Sequence, residues 1–411
     1  NLTGTNPTMA RFLTLNDVNV AGKTVLVRAD LNVPTDGEQI TDTTRLDRLL
    51  PTLHRLSDAG ARVAVLSHFG RPKGKVVPAM SLRPVAGALS DLLGREVAFA
   101  ADCIGTEARA GIDFLPAGGV IVLENTRFHP GEEANDPGLS AEMAALGDLY
   151  VNDAFGTAHR AHASTEGITH HLPAVAGLAM EAELSNLSAA LDQPRRPLAA
   201  IVGGAKVSTK IDVLHHLVNR VDMLVIGGGM ANTFLLAAGY KLGRSLVEAD
   251  LVETAREIMA AAKASGCQLF LPEDATVAES IDGGEQSFVT TVDDVPETHM
   301  ILDYGPFATQ SLIDRMGEIA TVVWNGPLGA FEFDPFGTAT FTLADEIARA
   351  TRERGLVSVA GGGDTVAALA AAGVEADLTY VSTAGGAFLE WMEGRTLPGV
   401  AALERAAATA P

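Results

Sequence analysis

The chain has 411 residues, a length that predicts two domains of about 200 residues each. Its apolar fraction of 47% is enough for two buried cores and excludes a disordered or fibrous protein, and no apolar run of about 20 residues predicts a membrane span. The net charge of −21, from 51 acidic and 30 basic residues, argues against a nucleic-acid-binding protein with a broad basic face.

The first residues and the cysteines indicate where the protein resides. Residues 1–8 precede Met9 and have neither the charged nor the apolar region of a signal peptide, so we expect an appended segment outside the fold. Cys103 and Cys267 lie far apart and have no metal-ligand spacing, which predicts two buried thiols in a reducing compartment. We therefore expect a cytoplasmic protein.

Short apolar, β-branched runs alternate with longer Ala- and Leu-rich segments of helical period along almost the whole chain. Continuous apolar runs are typical of strands buried on both faces of a parallel sheet, and their alternation with helices indicates βαβ units. In chain order the predicted strands are Thr24–Arg28, Arg62–Ser67, Val97–Ala100, Val120–Leu123, Asp148–Val151, Leu198–Val202, Asp222–Ile226, Gln268–Leu271, Met300–Leu302, Ala320–Trp324, Leu356–Ala360 and Thr379–Ser382.

The predicted boundary between the domains lies in residues 173–191, which contain one long helical pattern that DQPRRP at residues 192–197 interrupts. The sequence thus predicts an α/β fold: two doubly wound, Rossmann-like parallel-sheet domains that face a cleft and are joined by a helix. We place the N-terminal domain at residues 9–183, the C-terminal domain at 184–391 and a tail at 392–411. The joining helix could equally be an ordinary surface helix.

Cationic and polar loops follow the strands of the first half. Ligands bind outside the carboxyl ends of the strands in open parallel sheets, so these loops are expected to meet at one edge. Arginine offers a rigid fork of donors that matches carboxylate and phosphate oxygens, which predicts a pocket for a small, multiply anionic substrate. The loops are residues 28–34 with Arg45, residues 67–75, residues 124–129 and residues 152–162.

Glycine-rich turns follow the strands of the second half. Glycine lets the backbone approach a ligand closely, and a helix N-terminus offers unpaired N–H groups to phosphate. Several such turns at one edge, the first with two lysines, predict a nucleotide polyphosphate site. The turns are residues 203–210, 227–232, 324–332, 361–365 and 383–386.

Common nucleotide-binding templates do not fit the chain. Gly22-Lys23-Thr24 resembles the end of a Walker A loop, but the glycine required five residues earlier is Asp17. No segment matches G-x-G-x-x-G with an acidic residue about 20 positions later, which argues against a nicotinamide-dependent dehydrogenase.

With these motifs the chain resembles the phosphoglycerate kinase family from Met9 to the C-terminus. The motifs occur in the order and near the spacing of that family. The matching segments are VLVRADLNVP (25–34), SHFGRPKG (67–74), LENTRFHPGE (123–132), NDAFGTAHRAHAS (152–164), GGAKVSTK (203–210), GGGMANTF (227–234), WNGPLGAFE (324–332), AGGGDT (360–365) and STAGGAF (382–388).

The resemblance implies reversible phosphoryl transfer from 1,3-bisphosphoglycerate to Mg-ADP, giving 3-phosphoglycerate and ATP. It also implies a monomer without a permanently bound cofactor, whose C-terminal tail returns to the first domain. The 3-phosphoglycerate site that it implies contains Asp30, Leu31, Asn32, Arg45, His68, Phe69, Gly70, Arg71, Arg127 and Arg160. The ADP/ATP site that it implies contains Lys206, Lys210, Gly228, Gly305, Asn325, Glu332, Gly362, Gly363, Asp364 and Thr365.

The chemistry of this transfer suggests roles for individual residues. The attacking phosphate oxygen is already ionised and the leaving group is a carboxylate, so positioning and charge neutralisation suffice without a general base. We expect Arg45 to act as an arginine finger, and Lys206 and Lys210 to neutralise the phosphoryl oxygens. Asp364 is the candidate ligand for Mg²⁺ with the nucleotide phosphates, or else the N-cap of its helix.

Two alternatives remain open at the level of sequence. One is a kinase that acts on another small carboxylate, and the other is a two-domain anion-binding protein without catalysis. If the two ligands bind to different domains, we expect hinge closure to bring them together and to exclude water from the acyl phosphate.

Overall fold

The computed structural model describes residues 12–409, and the predicted appended segment at residues 1–8 lies outside them. The described chain forms two units by its internal contacts. One unit contains the chain up to Leu184 together with the segment from Thr396 onwards, and the other contains Ser185–Arg395. The sequence placed the corresponding boundaries at residues 183 and 391.

The first unit is built on a parallel sheet. Its strands are β1 (Thr24–Arg28), β2 (Thr35–Asp36), β3 (Gln39–Ile40), β4 (Arg62–Leu66), β5 (Val97–Ala100), β6 (Val120–Leu123), β7 (Leu149–Asn152) and β8 (Ala174–Ala176). Strands β2 and β3 form a small antiparallel hairpin, and the others form a six-stranded sheet in the order β5-β6-β4-β1-β7-β8. All neighbours in this sheet are parallel. Because β1, β6 and β7 are buried throughout, they occur as continuous apolar runs in the sequence.

In the described chain five helices follow the strands of this unit, and the first three of them pack against the sheet. They are α1 (Thr44–Asp58), α2 (Arg83–Leu93), α3 (Gly105–Asp113), α4 (Pro137–Ala144) and α5 (Leu178–Leu191), which continues into the second unit. Helix α1 buries Leu46, Leu49, Leu53 and Leu56, which recur at helical spacing on one face. Helix α4 begins where the Asp136 carboxylate accepts a hydrogen bond from the N–H of Leu139 at 2.8 Å.

The second unit contains one parallel and one antiparallel sheet. Its strands are β9 (Leu198–Val202), β10 (Met223–Ile226), β11 (Gln268–Phe270), β12 (Asp274–Ala278), β13 (Phe288–Thr291), β14 (Met300–Tyr304), β15 (Thr321–Asn325), β16 (Val357–Gly361) and β17 (Tyr380–Ser382). The parallel sheet has the order β11-β10-β9-β15-β16-β17, and a smaller antiparallel sheet has the order β13-β12-β14. Numbered along the parallel sheet alone, the first order is 3-2-1-4-5-6, that of dinucleotide-binding folds.

The remaining helices follow the strands of the second unit and the end of the chain. They are α6 (Ile211–Leu217), α7 (Gly228–Ala237), α8 (Val252–Ser265), α9 (Pro306–Met316), α10 (Thr338–Arg354), α11 (Gly363–Ala372), α12 (Gly385–Met392) and α13 (Pro398–Ala408). Helix α13 belongs to the first unit, where it packs against β8. Both cysteines are buried and unpaired, as predicted. None of the helices in residues 12–409 is long and apolar enough to cross a membrane.

The prediction of two doubly wound α/β domains is confirmed, with two local corrections. The helical pattern assigned to residues 173–191 is wrong at its start, because strand β8 precedes the helix, which begins only at Leu178. The strand predicted at Met300–Leu302 is β14, which pairs antiparallel with β12 and lies outside the parallel sheet.

Candidate functional site

The cationic loops of the first unit extend from the carboxyl ends of neighbouring strands. The strand order reverses at β1, since the next parallel strand along the chain, β4, lies on one side of it and β7 lies on the other. Such a reversal opens a crevice at the carboxyl ends of the strands, where ligands bind in open α/β sheets. The loops after β1, β4, β6 and β7 carry the residues predicted to bind an anionic acid.

Arg45, in the first turn of α1, is tied to the loop after β1. Its Nη1 donates to Asn32 O at 2.7 Å and lies 3.1 Å from Asp30 Oδ2. The Asn32 side chain in turn accepts a hydrogen bond from the N–H of Gly70 at 2.8 Å. The structure therefore brings four of the predicted residues into one hydrogen-bonded group, with two loops and a helix N-terminus held together.

Asn125, which the motifs did not assign to the site, joins two more loops. Its Oδ1 accepts from the N–H groups of Phe69 and Arg127, both at 3.1 Å, and its Nδ2 donates to Phe69 O at 2.7 Å. Arg127 Nη1 donates to Gly70 O at 2.8 Å, and its Nε lies 3.5 Å from the Glu133 carboxylate. Arg127 is only 5% exposed, so its charge is held in place within the loops.

Arg28, the last residue of β1, is a fully buried cation beside two buried histidines. Its Nε donates to Ser164 Oγ at 2.8 Å, and its Nη2 lies 3.2 Å from His68 Nδ1. Burial, followed by the charges of Arg28 and Arg127, lowers the pKa of His68 well below its usual range. Burial and the same two charges lower the pKa of His162 to about 4. Both histidines are therefore neutral at pH 7, and arginine carries the positive charge of this group.

The other predicted residues of the first unit differ in their surroundings. Leu31 is fully buried in the hydrophobic core, so only its backbone, which donates to Ser67 Oγ at 2.9 Å, faces the loops. Arg71 follows Gly70 directly and is exposed. Arg160 is half-buried, and its Nε donates to His159 Nε2 at 3.2 Å. The charge of Arg160 contributes to the lowered pKa of His162, after burial, Arg127 and Arg28.

Lys210 is the central cation of the second unit. The strand order of its parallel sheet reverses between β9 and β15, and Lys210 Nζ donates to Gly203 O at 2.6 Å and to Asn325 Oδ1 at 2.5 Å, beyond the ends of those two strands. Burial lowers the pKa of Lys210 to about 8, while the Asp364 carboxylate opposes that shift. The ammonium group thus lies at the reversal point, where the fold favours ligand binding.

Three further predicted residues form a hydrogen-bonded layer beside Lys210. Asn325 Nδ2 donates to Gly361 O at 2.7 Å, and the N–H of Gly326 donates to Thr365 Oγ1 at 2.7 Å. Gly362 has a φ of 97°, and a Cβ atom there would lie 2.5 Å from Asn325 Nδ2. Glycine is thus required at 362 both by its backbone conformation and by the close approach of Asn325.

Close contacts of two different kinds explain two other predicted glycines. Gly228 opens α7 with a φ of 66°, and a Cβ atom there would lie 2.5 Å from Gly204 O. A Cβ atom on Gly305 would lie 2.2 Å from the carboxylate of Asp274, which accepts hydrogen bonds from the first turn of α9. Gly228 therefore shapes the edge of the sheet, whereas Gly305 makes room for a helix cap.

A cavity of about 340 Å³ lies beside these turns. The predicted residues Gly228, Glu332 and Asp364 line it, whereas Lys206 and Gly363 do not and are exposed. Most of the other lining residues are small or apolar, and they include Gly204, Ala205, Leu246, Ile301, Tyr304 and Leu328. An apolar slot with a few polar groups at its rim has the character of a small-molecule site that could hold a planar base.

Asp364 fits a magnesium ligand better than a helix cap. The N-cap residue of α11 is Gly362, so the alternative that Asp364 caps its helix is wrong. Asp364 is exposed in the first turn of α11, and its charge acts on Lys210. One accessible carboxylate at a helix N-terminus could hold Mg²⁺ together with phosphate oxygens and water.

Comparison with known proteins gives one consistent family. The family model described as "Phosphoglycerate kinase" matches residues 15–395. A phosphoglycerate kinase of Chelativorans sp. (strain BNC1) is 57% identical over 97% of this chain and 100% of its own, and one of Maricaulis maris (strain MCS10) is 57% identical over 96% and 98%. The solved structure of phosphoglycerate kinase from Coxiella burnetii superimposes with a TM-score of 0.89 at 41% identity, covering 96% of this chain and 99% of that one.

Proposed function

This chain belongs to the phosphoglycerate kinase family, and we propose that it catalyses reversible phosphoryl transfer from 1,3-bisphosphoglycerate to Mg-ADP, giving 3-phosphoglycerate and ATP. One observation carries the proposal: a cationic cluster lies at the carboxyl edge of one sheet, and glycine-rich turns with lysine lie at the carboxyl edge of the other. Phosphoryl transfer between a phosphorylated acid and a nucleotide requires these two sites. Neither a kinase for another acid nor a protein without catalysis is favoured.

The phosphorylated acid binds in the first unit in this account. Arginine forks match phosphate and carboxylate oxygens, and Arg127, Arg28 and Arg160 act together on His162. Since His68 and His162 are neutral, they can donate one hydrogen bond each without adding charge. Asp30 and Asn32 are the groups for the hydroxyl of the acid.

The nucleotide binds in the second unit in this account. Its phosphates lie at the N-termini of α7 and α11 and beside Lys210, and Mg²⁺ joins them through Asp364. Its base fills the apolar cavity, and Glu332 at the rim accepts hydrogen bonds from ribose hydroxyls. We expect Mg-ADP and Mg-ATP to be exchangeable co-substrates of a monomeric, cytoplasmic enzyme.

The reaction needs charge neutralisation and alignment more than proton transfer. The phosphate oxygen that attacks is ionised at neutral pH, and the acyl carboxylate that leaves is a stable anion. The lowered pKa values of the two buried histidines make them poor bases, which agrees with a mechanism without a general base. Arg45 and Lys210, with the exposed Lys206, neutralise the transferring group.

Replacing Arg45 tests this role. We expect Arg45→Ala to lower kcat by about 10³–10⁵, as for arginine fingers in other phosphoryl-transfer enzymes, with Mg-ADP affinity retained. The measurement is a coupled assay with 3-phosphoglycerate and Mg-ATP, together with nucleotide binding by calorimetry. Arg55→Ala, at an exposed position of the same helix, is the control and should keep wild-type kcat. A kcat for Arg45→Ala close to that of the control would contradict the role.

A further inference from the structure

A group of sulfur, nitrogen and oxygen ligands lies at the edge of the first sheet. Asp102 and Cys103 follow β5, and His129 follows the neighbouring strand β6. One possible ligand atom from each of the three side chains lies within 4.8 Å of the other two, and this is the one such group of three among residues 12–409. His129 Nε2 lies 2.7 Å from Asp102 Oδ1. Sequence spacing could not indicate the group, because 26 positions separate His129 from Cys103.

The group is open on one side and closed on the other. The side chains of Asp102 and His129 are 40% and 28% exposed, whereas Cys103 is only 1% exposed. An ion from solvent would meet the carboxylate and the imidazole first and the thiol beneath them. The two partly exposed side chains also have room to adjust around an ion.

Negative charge surrounds the thiol. The carboxylates of Asp102, Glu132 and Glu124 all act on Cys103, and the last two are almost completely buried. Glu132 accepts hydrogen bonds from the N–H and hydroxyl of Ser164, and Glu124 accepts from the N–H of Leu82. Both side chains are therefore held in place, and their carboxylates favour a cation near the thiol.

We propose that Asp102, Cys103 and His129 bind a thiophilic divalent cation of the Zn²⁺ class. Thiolate, imidazole and carboxylate are the protein ligands of Zn²⁺, and three of them leave a fourth position for water. Zn–S bonds of about 2.3 Å and Zn–N bonds of about 2.0 Å place neighbouring ligand atoms roughly 3.5 Å apart. The ion would therefore separate His129 Nε2 from Asp102 Oδ1, which are 2.7 Å apart, while the thiol lies within 4.8 Å of both side chains. Mg²⁺, which takes oxygen ligands, does not fit this donor set.

This site is separate from the proposed reaction. The magnesium candidate Asp364 belongs to the second unit, and none of the three ligands is among the residues assigned to the acid or the nucleotide. Its occupation can therefore be measured on the full chain without substrates and without an activity assay.

Cobalt(II) reports on the ligands directly, because a thiolate bound to Co²⁺ gives a near-ultraviolet charge-transfer band. We expect the metal-free full-length protein to bind about one Co²⁺ per chain with that band, and Zn²⁺ to displace it. Cys103→Ser should abolish the band, whereas Cys267→Ser, at the other buried free cysteine, should keep it. His129→Asn, at a partly exposed position, should weaken affinity by at least about tenfold, since even an outer-shell partner contributes that much.

Two variants test the metal site independently, so the experiment remains decisive even if one of them folds poorly. Circular dichroism establishes folding for each variant, and His129→Asn gives a second test if Cys103→Ser does not fold. A wild-type protein without the charge-transfer band overturns the proposal. So does a band that survives Cys103→Ser or disappears in Cys267→Ser, and so does a His129→Asn variant with wild-type affinity.

Discussion

Burial sets the charge of the key groups at both sites. His68 and His162 are neutral at pH 7 because burial and neighbouring arginines disfavour their charged forms. Burial likewise lowers the pKa of Lys210 to about 8, close to the working range of an enzyme in neutral solution. At the proposed acid site the positive charge is thus fixed, whereas at the proposed nucleotide site the charge of Lys210 depends on pH.

The pKa of Lys210 predicts a pH-dependent nucleotide affinity. A bound phosphate stabilises the ammonium form, so binding is strongest below pH 8 and weakens as Lys210 loses its proton above it. We expect the Kd of Mg-ADP to rise roughly tenfold between pH 7 and pH 9, as the competent fraction falls. Calorimetric titrations across that range measure it.

Two variants distinguish the titration of Lys210 from the effect of pH on the rest of the protein. Lys210→Met should bind Mg-ADP weakly at both pH values and lose the dependence. Lys263→Met, at an exposed position of α8, should behave as the wild type does. An unchanged pH dependence in Lys210→Met would show that another group titrates.

At the two sites the sequence predicted some of the important residues but not all of them. The motifs assigned Arg45 and Lys210 to the sites, whereas Arg28 and Asn125 lie in the predicted loops without an assigned role. Arg28 ends an otherwise apolar strand, a signal that could have identified it. Asn125 connects the loops by hydrogen bonding to Phe69, which is 56 positions away in the chain. The local sequence around either residue cannot predict such a contact.

The glycine at the start of α7, Gly228, is required by the local backbone, and replacing it should lower the stability of the protein. An alanine at Gly228 meets both an unfavourable positive φ and Gly204 O at 2.5 Å. Gly373, at the end of α11, has a similar φ of 72° but no atom within 4 Å of a Cβ. We expect Gly373→Ala to lower the free energy of unfolding by about 1–2 kcal/mol, and Gly228→Ala by about 1–3 kcal/mol more.

Urea unfolding and Mg-ADP binding of the two glycine variants measure this difference. Nucleotide affinity should fall only in Gly228→Ala, because Gly228 and Gly204 both line the cavity. Equal losses of stability in the two variants would mean that the close contact costs nothing and that φ alone matters.

The N-terminus of α5 depends on a buried carboxyl group. Asp153 Oδ1 accepts hydrogen bonds from the N–H groups of Ala179 and Met180 at 2.9 and 3.1 Å. Burial nevertheless raises the pKa of Asp153 to about 6. Between about pH 4 and pH 6 the native state binds a proton that the unfolded chain does not, so this group's contribution to stability falls as pH rises and costs about 3 kcal/mol above pH 6.

Asp153→Asn tests that sign, because the amide keeps an oxygen acceptor without the charge. We expect the variant to be more stable than the wild type by about 3 kcal/mol at pH 7.5, and the difference to fall to roughly half of that at pH 5. Thermal unfolding at the two pH values measures it, with Asp113→Asn at an exposed helix position as the control. An advantage that grows as the pH is lowered would contradict the raised pKa.

Strands were predictable where they form distinct apolar runs in the sequence. β1, β6 and β9, which are buried throughout, and the partly buried β5 have the predicted bounds for this reason. β8 is three residues long and leads into a helix of similar composition, so it was read as part of that helix. β13 is mostly exposed and was not predicted, since an exposed strand has no continuous apolar run.

The whole molecule combines two units, each with one proposed ligand site at the edge of its parallel sheet. The chain returns to the first unit from Thr396 onwards, where the N–H of Gly399 donates to Ala158 O at 2.8 Å, next to the loop that carries Arg160. The last helix thus supports a loop of the proposed acid site. Composition and periodicity could not predict this return, which only the family resemblance implied.

Phosphoryl transfer between a phosphorylated acid and Mg-ATP is the activity that we propose for this chain. The most direct measurement is steady-state turnover of the wild-type chain with Mg-ATP and 3-phosphoglycerate, coupled to a reductase that consumes the acyl phosphate. Unphosphorylated glycerate serves as the comparison substrate. We expect turnover with 3-phosphoglycerate and little with glycerate, because the arginines bind the phosphate. No turnover despite tight Mg-ATP binding, or equal rates with the two acids, would contradict the account.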